Sequence, residues 1–181
     1  MKKFKFLLLS ACIALVACTT KTSSEQQVSD KGTEWSWDKG TIVVETPERP
    51  AEQTSVIGLT IPKMEVVRVG FVGLGMRGPG AVERFTYIPG VEIVALCDYE
   101  KERAEKCQKY LQRASMPKAA IYSGEKGYEE LCKRDDIDLV YIATDWLHHF
   151  PVAMCAMENN KNVAIEVPSA MDLKECWALV N

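Results

Sequence analysis

Short apolar runs alternate with amphipathic segments from residue 66 to the end of the chain. The runs at 66–73, 91–97, 139–143 and 163–166 are nearly continuous in apolar residues, as is typical of strands buried on both faces of a parallel sheet. A further short strand is a candidate at residues 121–122. The segments between them predict helices at 77–88, 100–112, 125–133, 148–159 and 172–180. Regular alternation of strand and helix predicts an α/β fold, a Rossmann doubly wound parallel sheet with helices on both faces.

The first residues are typical of an export signal. Three lysines among the first five residues precede an apolar stretch at 6–17, which is too short to cross a bilayer. Small residues lead directly to Cys18, as a lipoprotein signal peptidase requires. We therefore interpret residues 1–17 as a lipoprotein signal peptide and Cys18 as a lipidated, membrane-attached N-terminus, the alternative being an ordinary secretory signal. Thr19, rather than Asp, favours the outer membrane or cell surface of a Gram-negative bacterium.

Residues 18–65 differ in composition from the rest of the chain. They are polar at first and later interrupted by prolines, which predicts a flexible tether. Trp35, Trp37 and the run at 42–44 are more apolar than a linker requires, so we expect them to dock on the domain or on another part of the protein. The Rossmann domain is then residues 66–181. Because the chain stops at Asn181 inside a predicted helix, we expect it to be truncated.

A glycine motif follows the first strand of this domain directly. Gly73, Gly75 and Gly78 have the Gly-x-Gly-x-x-Gly spacing, with Met76 and Arg77 inside the turn. In dinucleotide sites the first glycine permits the tight turn and the second lets the backbone approach the pyrophosphate. The third lets the next helix pack closely and direct its positive end at the phosphates. The motif predicts a dinucleotide site.

An acidic residue strengthens this interpretation. Asp98 ends the second apolar run, twenty residues after Gly78. A carboxylate at that position accepts hydrogen bonds from the adenosine ribose and repels a 2′-phosphate, which favours NAD over NADP. The alternative is a turn or helix-capping residue, and Asp98 can serve as both. Arg77 is a candidate for the phosphates or a solvated side chain of the first turn.

Two more segments follow strands at the edge where open α/β sheets bind ligands. The first contains Thr144, Trp146, Leu147, His148 and His149. Neighbouring residues on a helix point about 100° apart, so the two histidines cannot face one ligand in the same way. A zinc pair is disfavoured because helical metal histidines need a spacing of three or four residues. Trp146 either packs on the cofactor or fills the loop.

The second segment joins the last strand to a proline. Glu166 lies at the end of that strand, Val167 follows it, and Pro168 disfavours helix at Val167.

In this order the motifs resemble the N-terminal domain of the Gfo/Idh/MocA oxidoreductases. The likeness covers residues 66–181 and implies a Rossmann half that is followed by a C-terminal α/β half. In sugar and inositol dehydrogenases of that family the last motif is Glu-Lys-Pro, and its lysine assists proton transfer. Val167 occupies that position here, and a valine side chain cannot exchange a proton.

A narrower resemblance fits this departure. The run from Gly73 to Gly78, the stretch 146–149 and the run 166–168 are similar to NAD-dependent glycoside hydrolases of the α-N-acetylgalactosaminidase type. Asp145 departs from them, since relatives more often have proline there. The resemblance implies cleavage through a transient ketone: the C3 hydroxyl of the sugar is oxidised, the C2 proton and the C1 substituent leave, water adds, and the hydride returns.

The same resemblance assigns site residues and leaves others open. It implies that Met76, Arg77, Asp98, residues 146–149, Glu166 and Val167 line the NAD site, and that the proton-transfer groups and most sugar contacts lie beyond Asn181. His149 is a further candidate for catalysis. A conventional sugar or polyol dehydrogenase is the alternative function, and a catalytically silent nucleotide-binding fragment is the second. A homo-oligomer is compatible with the full-length form.

The net charge and the positions of the cysteines limit which partners and which kinds of site we expect. The formal net charge is −3, and removal of the signal, which has three lysines and no acidic residue, makes it more negative. Because the sequence has no basic cluster, we do not expect nucleic acid as a partner. Beyond Cys18 five cysteines remain, mostly at apolar positions and without a Cys-x-x-Cys pair, so neither a disulfide framework nor a metal site is expected.

Overall fold

The computed structural model describes residues 27–28, 34–44, 48–49 and 51–181. The predicted signal peptide and Cys18 lie outside the described residues. The strands of the described part are β1 (Gln27–Val28), β2 (Glu34–Asp38), β3 (Thr41–Val44), β4 (Val67–Val72), β5 (Val91–Asp98), β6 (Ala120–Ser123), β7 (Leu139–Ile142) and β8 (Asn162–Ile165). The helices are α1 (Gly78–Phe85), α2 (Lys101–Arg113), α3 (Gly127–Cys132), α4 (Trp146–Glu158) and α5 (Leu173–Val180).

Strands β4 to β8 form one parallel sheet in the order β6-β5-β4-β7-β8. The chain builds outward from β4 through β5 to β6, then crosses to the other side of β4 to place β7 and β8. The strand order therefore reverses between β4 and β7, which is where doubly wound sheets open a crevice for a ligand at the carboxyl ends of the strands. The prediction of a Rossmann-like α/β sheet is confirmed.

The two faces of the sheet are buried under different helices. On β4, Val69 and Phe71 belong to the core beneath α1 and α2, whereas Val72 belongs to the core beneath α3 and α4. Gly70 shares the second face, and a Cβ there would lie 2.9 Å from a methyl group of Leu131 on α3. This burial on both faces explains why the central strands appear in the sequence as continuous apolar runs.

Helix boundaries differ from the prediction by one to three residues at most ends, and two of these differences have a local cause. Helix α4 begins at Trp146 rather than at residue 148, because the Asp145 side chain accepts the Leu147 N–H at 3.0 Å and caps the first turn. Helix α1 ends at Phe85 rather than at residue 88, and the chain continues in turns toward Pro89, which disfavours helix before it. Among the described residues no helix is both long and apolar enough to cross a membrane.

The segment predicted as a tether contains strands that the sequence analysis did not predict. Strands β2 and β3 form an antiparallel hairpin in which Trp37 pairs with Ile42, and β1 extends it to three strands. Trp37 and Ile42 remain more than half exposed. Further along, the Val56 N–H donates to the Val180 carbonyl at 2.9 Å. This part of the predicted tether therefore contacts the last helix of the domain.

Three cysteines are buried in the core. Burial raises the pKa of the Cys97 thiol to about 12 and that of Cys107 to about 11, and it also raises the pKa of Cys132. Cys176 on α5 is exposed. Because the thiolate is the reactive form, we expect iodoacetamide at neutral pH to alkylate Cys176 first and to leave the three buried thiols unmodified until the domain unfolds.

Peptide mapping by mass spectrometry, with and without denaturant, measures this order. Modification of Cys97 in the native protein at the rate of Cys176 would show that the core opens readily.

Candidate functional site

The glycine loop between β4 and α1 is closed by contacts that leave no space for a side chain at two of its three glycines. Gly73 has a φ of +91°, and a Cβ on it would lie 2.5 Å from the Thr144 nitrogen and from the Ala143 carbonyl carbon. A Cβ on Gly78 would clash with the Gly73 carbonyl oxygen. Two of the three predicted glycines are therefore required by the backbone itself.

Gly75 has a different environment. A Cβ there would meet only the Arg103 guanidinium, at 3.5 Å, so its absence leaves open space above the loop. Met76 is 90 % exposed and Arg77 is exposed beside it. The first turn of α1 has neither an acidic residue nor a side-chain cap, so its N–H groups are not neutralised from within. Such a helix end is suited to a phosphate.

Asp98 supports the loop from the end of β5. The residue is 6 % exposed, and its carboxylate accepts the Leu74 N–H at 2.6 Å and the Glu100 N–H at 3.0 Å. A guanidinium nitrogen of Arg103 lies 3.7 Å away. The role in the turn that was considered from the sequence is present, whereas the N-cap position of α2 is occupied by Glu100. Because carboxylate oxygens accept more than one hydrogen bond each, a ribose contact remains open to Asp98.

A cavity of about 440 Å³ lies between the glycine loop and α2. Gly75 and Met76 line one side, and Arg103, Lys106 and Tyr110 line the other. The sequence analysis did not identify the three α2 residues. A signal was available, since a helix that begins directly after Asp98 presents its first turns to the glycine loop. The cationic side makes this cavity attractive to an anion, although the chain as a whole is acidic.

The segment after β7 places most of its predicted residues at the surface. Trp146 is 60 % exposed and Leu147 is 71 % exposed, so the Trp146 side chain does not fill the loop. His148 is also exposed, and its Nδ1 lies 2.7 Å from the Asp145 carboxylate. Desolvation raises the pKa of Asp145, but the contacts with His148 and with backbone N–H groups outweigh it, so that pKa is lowered. Thr144 is half-buried, with its hydroxyl donating to the Asp145 carbonyl at 3.1 Å.

His149 is different from its neighbour, as the angle between adjacent helical residues predicts. It is 1 % exposed, with Nδ1 2.6 Å from the Pro168 carbonyl oxygen and Nε2 3.1 Å from the Thr144 carbonyl oxygen. Both nitrogens are thus occupied by the protein. The structure places His149 behind the site rather than in it, which argues against the catalytic and direct cofactor-binding roles considered from the sequence.

The strand end at β8 carries the last predicted residues. Glu166 is half-buried, and it accepts a hydrogen bond from the Tyr141 hydroxyl at 2.6 Å. Desolvation is the largest cause of the raised pKa of Tyr141, and the Glu166 carboxylate raises it further. Val167 is 83 % exposed, and the Val167–Pro168 peptide is cis. The Glu166 carboxylate is thus anchored on Tyr141 while the valine side chain is available to a ligand.

These groups lie along one edge of the sheet in an order that fits a dinucleotide. The acidic residue and the cationic cavity stand at one end, the open glycine loop and the start of α1 in the middle, and the strand ends of β7 and β8 at the other. A pyrophosphate requires space to approach the backbone and a helix N-terminus without acidic side chains. Gly75 provides the space, and the first turn of α1 provides the helix N-terminus. In the described part of the chain, no group of three metal-ligating side chains comes together.

Residues 67–181 match the oxidoreductase family with an NAD-binding Rossmann fold, Gfo/Idh/MocA. The chain belongs to this family. Its NAD-binding domain therefore includes the whole of the parallel sheet, and the cofactor predicted from the glycine motif and Asp98 is confirmed at the level of the family.

Curated relatives are similar to this Gfo/Idh/MocA chain over its full length. Glycosyl hydrolase family 109 protein 5 of Phocaeicola vulgatus is 74 % identical over 100 % of the chain and 35 % of the relative. Glycosyl hydrolase family 109 protein 1 of Bacteroides thetaiotaomicron is 57 % identical over 98 % of the chain and 37 % of the relative. The chain spans about a third of the length of these relatives.

Solved structures of similar fold include proteins with bound nicotinamide cofactors. Myo-inositol dehydrogenase from Lactobacillus casei, in complex with NAD(H) and myo-inositol, has 27 % sequence identity and a TM-score of 0.55, covering 63 % of this chain and 32 % of that one. GenD2 from gentamicin A biosynthesis, in complex with NAD, has 22 % identity and a TM-score of 0.54, covering 66 % and 33 %. The second likeness supports the fold alone.

Proposed function

We propose that this chain provides the NAD site of an NAD-dependent glycosidase that acts on an N-acetylgalactosaminide-like sugar. The observation that carries the proposal is its 74 % identity, over the whole chain, to a relative named as a family 109 glycosyl hydrolase. The exposed Val167 side chain agrees with it, because a valine at the end of β8 cannot take the proton-transfer role of the lysine found in ordinary sugar dehydrogenases of the family.

The residues of the chain would bind and orient NAD, and the bound dinucleotide would supply hydride transfer. The Gly75 backbone and the first turn of α1 would hold the pyrophosphate, with Arg77 beside them. Asp98 would accept from the adenosine ribose, and its buried negative charge would disfavour a 2′-phosphate, so we propose NAD rather than NADP. Thr144, Trp146, Leu147 and Val167 would border the other half of the dinucleotide.

The decisive assay is release of a chromophore from an α-N-acetylgalactosaminide by the full-length gene product. We expect release without accumulation of reduced nicotinamide, because the hydride returns to the sugar within each turnover. The same assay on the 181-residue chain is expected to give no turnover. If the full-length product releases nothing, with or without added NAD, the proposal is wrong.

An NAD-dependent sugar or polyol dehydrogenase is the second candidate, supported by the likeness to the solved inositol dehydrogenase. It predicts net formation of reduced nicotinamide when a free sugar or polyol is added. Absorbance of the reduced ring, followed in the same samples as chromophore release, separates the two functions.

We also propose that Cys18 is the lipidated N-terminus of the mature protein and attaches it to the outer membrane or cell surface. The support is the sequence of residues 1–18. A Cys18→Ser variant is expected to lose incorporation of labelled palmitate and to leave the membrane fraction. Equal labelling of the wild type and the variant would contradict the lipid anchor. A homo-oligomeric full-length form stays a prediction.

A further inference from the structure

The two loops at the nicotinamide end of the site leave the sheet from neighbouring strands. The loop after β7 begins at Ala143, and the turn after β8 contains Val167 and Pro168. Their last sheet hydrogen bond runs from the Glu166 N–H to the Ile142 carbonyl at 3.0 Å. Beyond that point the chains diverge, and the imidazole of His149 lies between them.

The contacts of this ring connect the turn to the glycine loop. Nδ1 lies 2.6 Å from the Pro168 carbonyl oxygen and Nε2 lies 3.1 Å from the Thr144 carbonyl oxygen. Thr144 itself lies against Gly73, where a Cβ would come within 2.5 Å of the Thr144 nitrogen. A continuous path of contacts therefore runs from the residue after Val167, through the ring, to the glycine that begins the phosphate loop.

The ring is held by a rigid element. His149 lies in the first turn of the 13-residue helix α4, whose Val152, Ala153 and Ala156 are buried in the core against β7. Side chains of a packed core have few alternative positions. The two carbonyl groups are therefore positioned by the core through one buried side chain.

We propose that His149 is a positioning residue that fixes the separation of the Thr144 loop and the Val167 turn, and thereby the pocket for the nicotinamide half of NAD. This inference rests on the proposed function. A dinucleotide crosses the edge of the sheet at the switch point, with its adenosine on the β5 side and its second half beyond β7. Loss of the ring contacts would leave two mobile loops that binding must order, which weakens affinity for that half.

Two substitutions separate the contacts. An asparagine amide places its N–H₂ near the position of Nδ1, so His149→Asn retains a donor for Pro168 and loses the contact to Thr144. A glutamine amide reaches the position of Nε2, so His149→Gln retains the contact to Thr144 and loses that to Pro168. Because each contact closes one side of the pocket, we expect each variant of the full-length gene product to bind NAD about tenfold more weakly than the wild type.

Isothermal titration with two ligands distinguishes positioning from a structural role. ADP keeps the adenosine and the pyrophosphate and lacks the nicotinamide riboside, so its affinity is expected to change by less than about threefold in both variants. The matched control is Leu131→Ala, which removes buried volume from α3 in the same core, lowers the melting temperature and leaves the ratio of the two affinities unchanged.

If the His149 variants lose affinity for both ligands by the same factor, or keep the wild-type affinity for both, the inference is overturned. A shifted ratio in Leu131→Ala would overturn it as well, because general loosening of the core would then be sufficient. Failure of the wild-type protein to bind NAD is a different result, which contradicts the proposed function instead.

Discussion

Gly73→Ala is expected to unfold the domain or to lower its free energy of unfolding by more than about 3 kcal/mol. Two effects combine at this position. The φ of +91° is strained for any residue with a Cβ, and the added methyl group would lie 2.5 Å from backbone atoms of Ala143 and Thr144. Backbone on both sides cannot move aside without separating β4 from β7 at the centre of the sheet. Denaturant titration followed by circular dichroism measures the loss.

Gly75→Ala, two residues further on, is expected to separate binding from folding. Its Cβ would make an ordinary contact with the Arg103 guanidinium at 3.5 Å, so we expect the unfolding free energy to change by less than about 1 kcal/mol. The methyl group would stand in the gap through which the pyrophosphate reaches the backbone. NAD affinity is expected to fall on the order of a hundredfold, since several phosphate hydrogen bonds lengthen together.

Gly80→Ala is the matched control for both variants. Gly80 lies in α1, and a Cβ there would meet only the flexible end of Arg84, at 3.4 Å. Alanine favours helix over glycine by about 1 kcal/mol, so this variant is expected to be slightly more stable than the wild type. It keeps the backbone N–H groups of the first turn of α1, so it is expected to bind NAD normally. If Gly75→Ala binds NAD as tightly as Gly80→Ala does, the phosphates do not lie over Gly75.

The fold could be predicted because its strongest determinants are local in the sequence. Strands β4 and β5 are buried on both faces, so they appear as continuous apolar runs, and the helices between them appear as amphipathic segments. The topology follows from right-handed crossovers with short connections. The signal of the β2–β3 hairpin is weaker. Trp35 and Trp37 alternate with polar residues, an apolar run follows at 42–44, and the turn between them has positive φ at Lys39 and Gly40.

The positions of the site residues could be predicted, but their partners could not. Motif spacing places Gly73, Gly75 and Asp98 at one edge of the sheet, because each follows a strand. It does not show that Asp98 accepts the Leu74 N–H, or that the His149 ring lies between two carbonyl groups. Those contacts join residues that lie far apart in the chain or depend on where a helix begins. Asp145 caps α4, and within that helix His149 rather than His148 faces the core.

Asp98→Asn is expected to weaken both the domain and its choice of cofactor. The carboxylate uses one oxygen for the Leu74 N–H and the other for the Glu100 N–H, and an amide offers only one oxygen. One buried N–H would then face an NH₂ group, a loss of about 1 to 3 kcal/mol in unfolding free energy. NAD affinity is expected to fall about tenfold or more, because a charged acceptor for the ribose is replaced by a neutral group.

Affinity for NADP is the measurement that separates ribose recognition from loop support. Removal of the negative charge takes away the repulsion of a 2′-phosphate, and Arg103 remains beside it, so the ratio of NAD to NADP affinity is expected to fall. Glu100→Gln is the control, since Glu100 also pairs with Arg103, at 3.0 Å, but is exposed. An Asp98→Asn variant that loses both cofactors in proportion would show that Asp98 acts through the glycine loop alone.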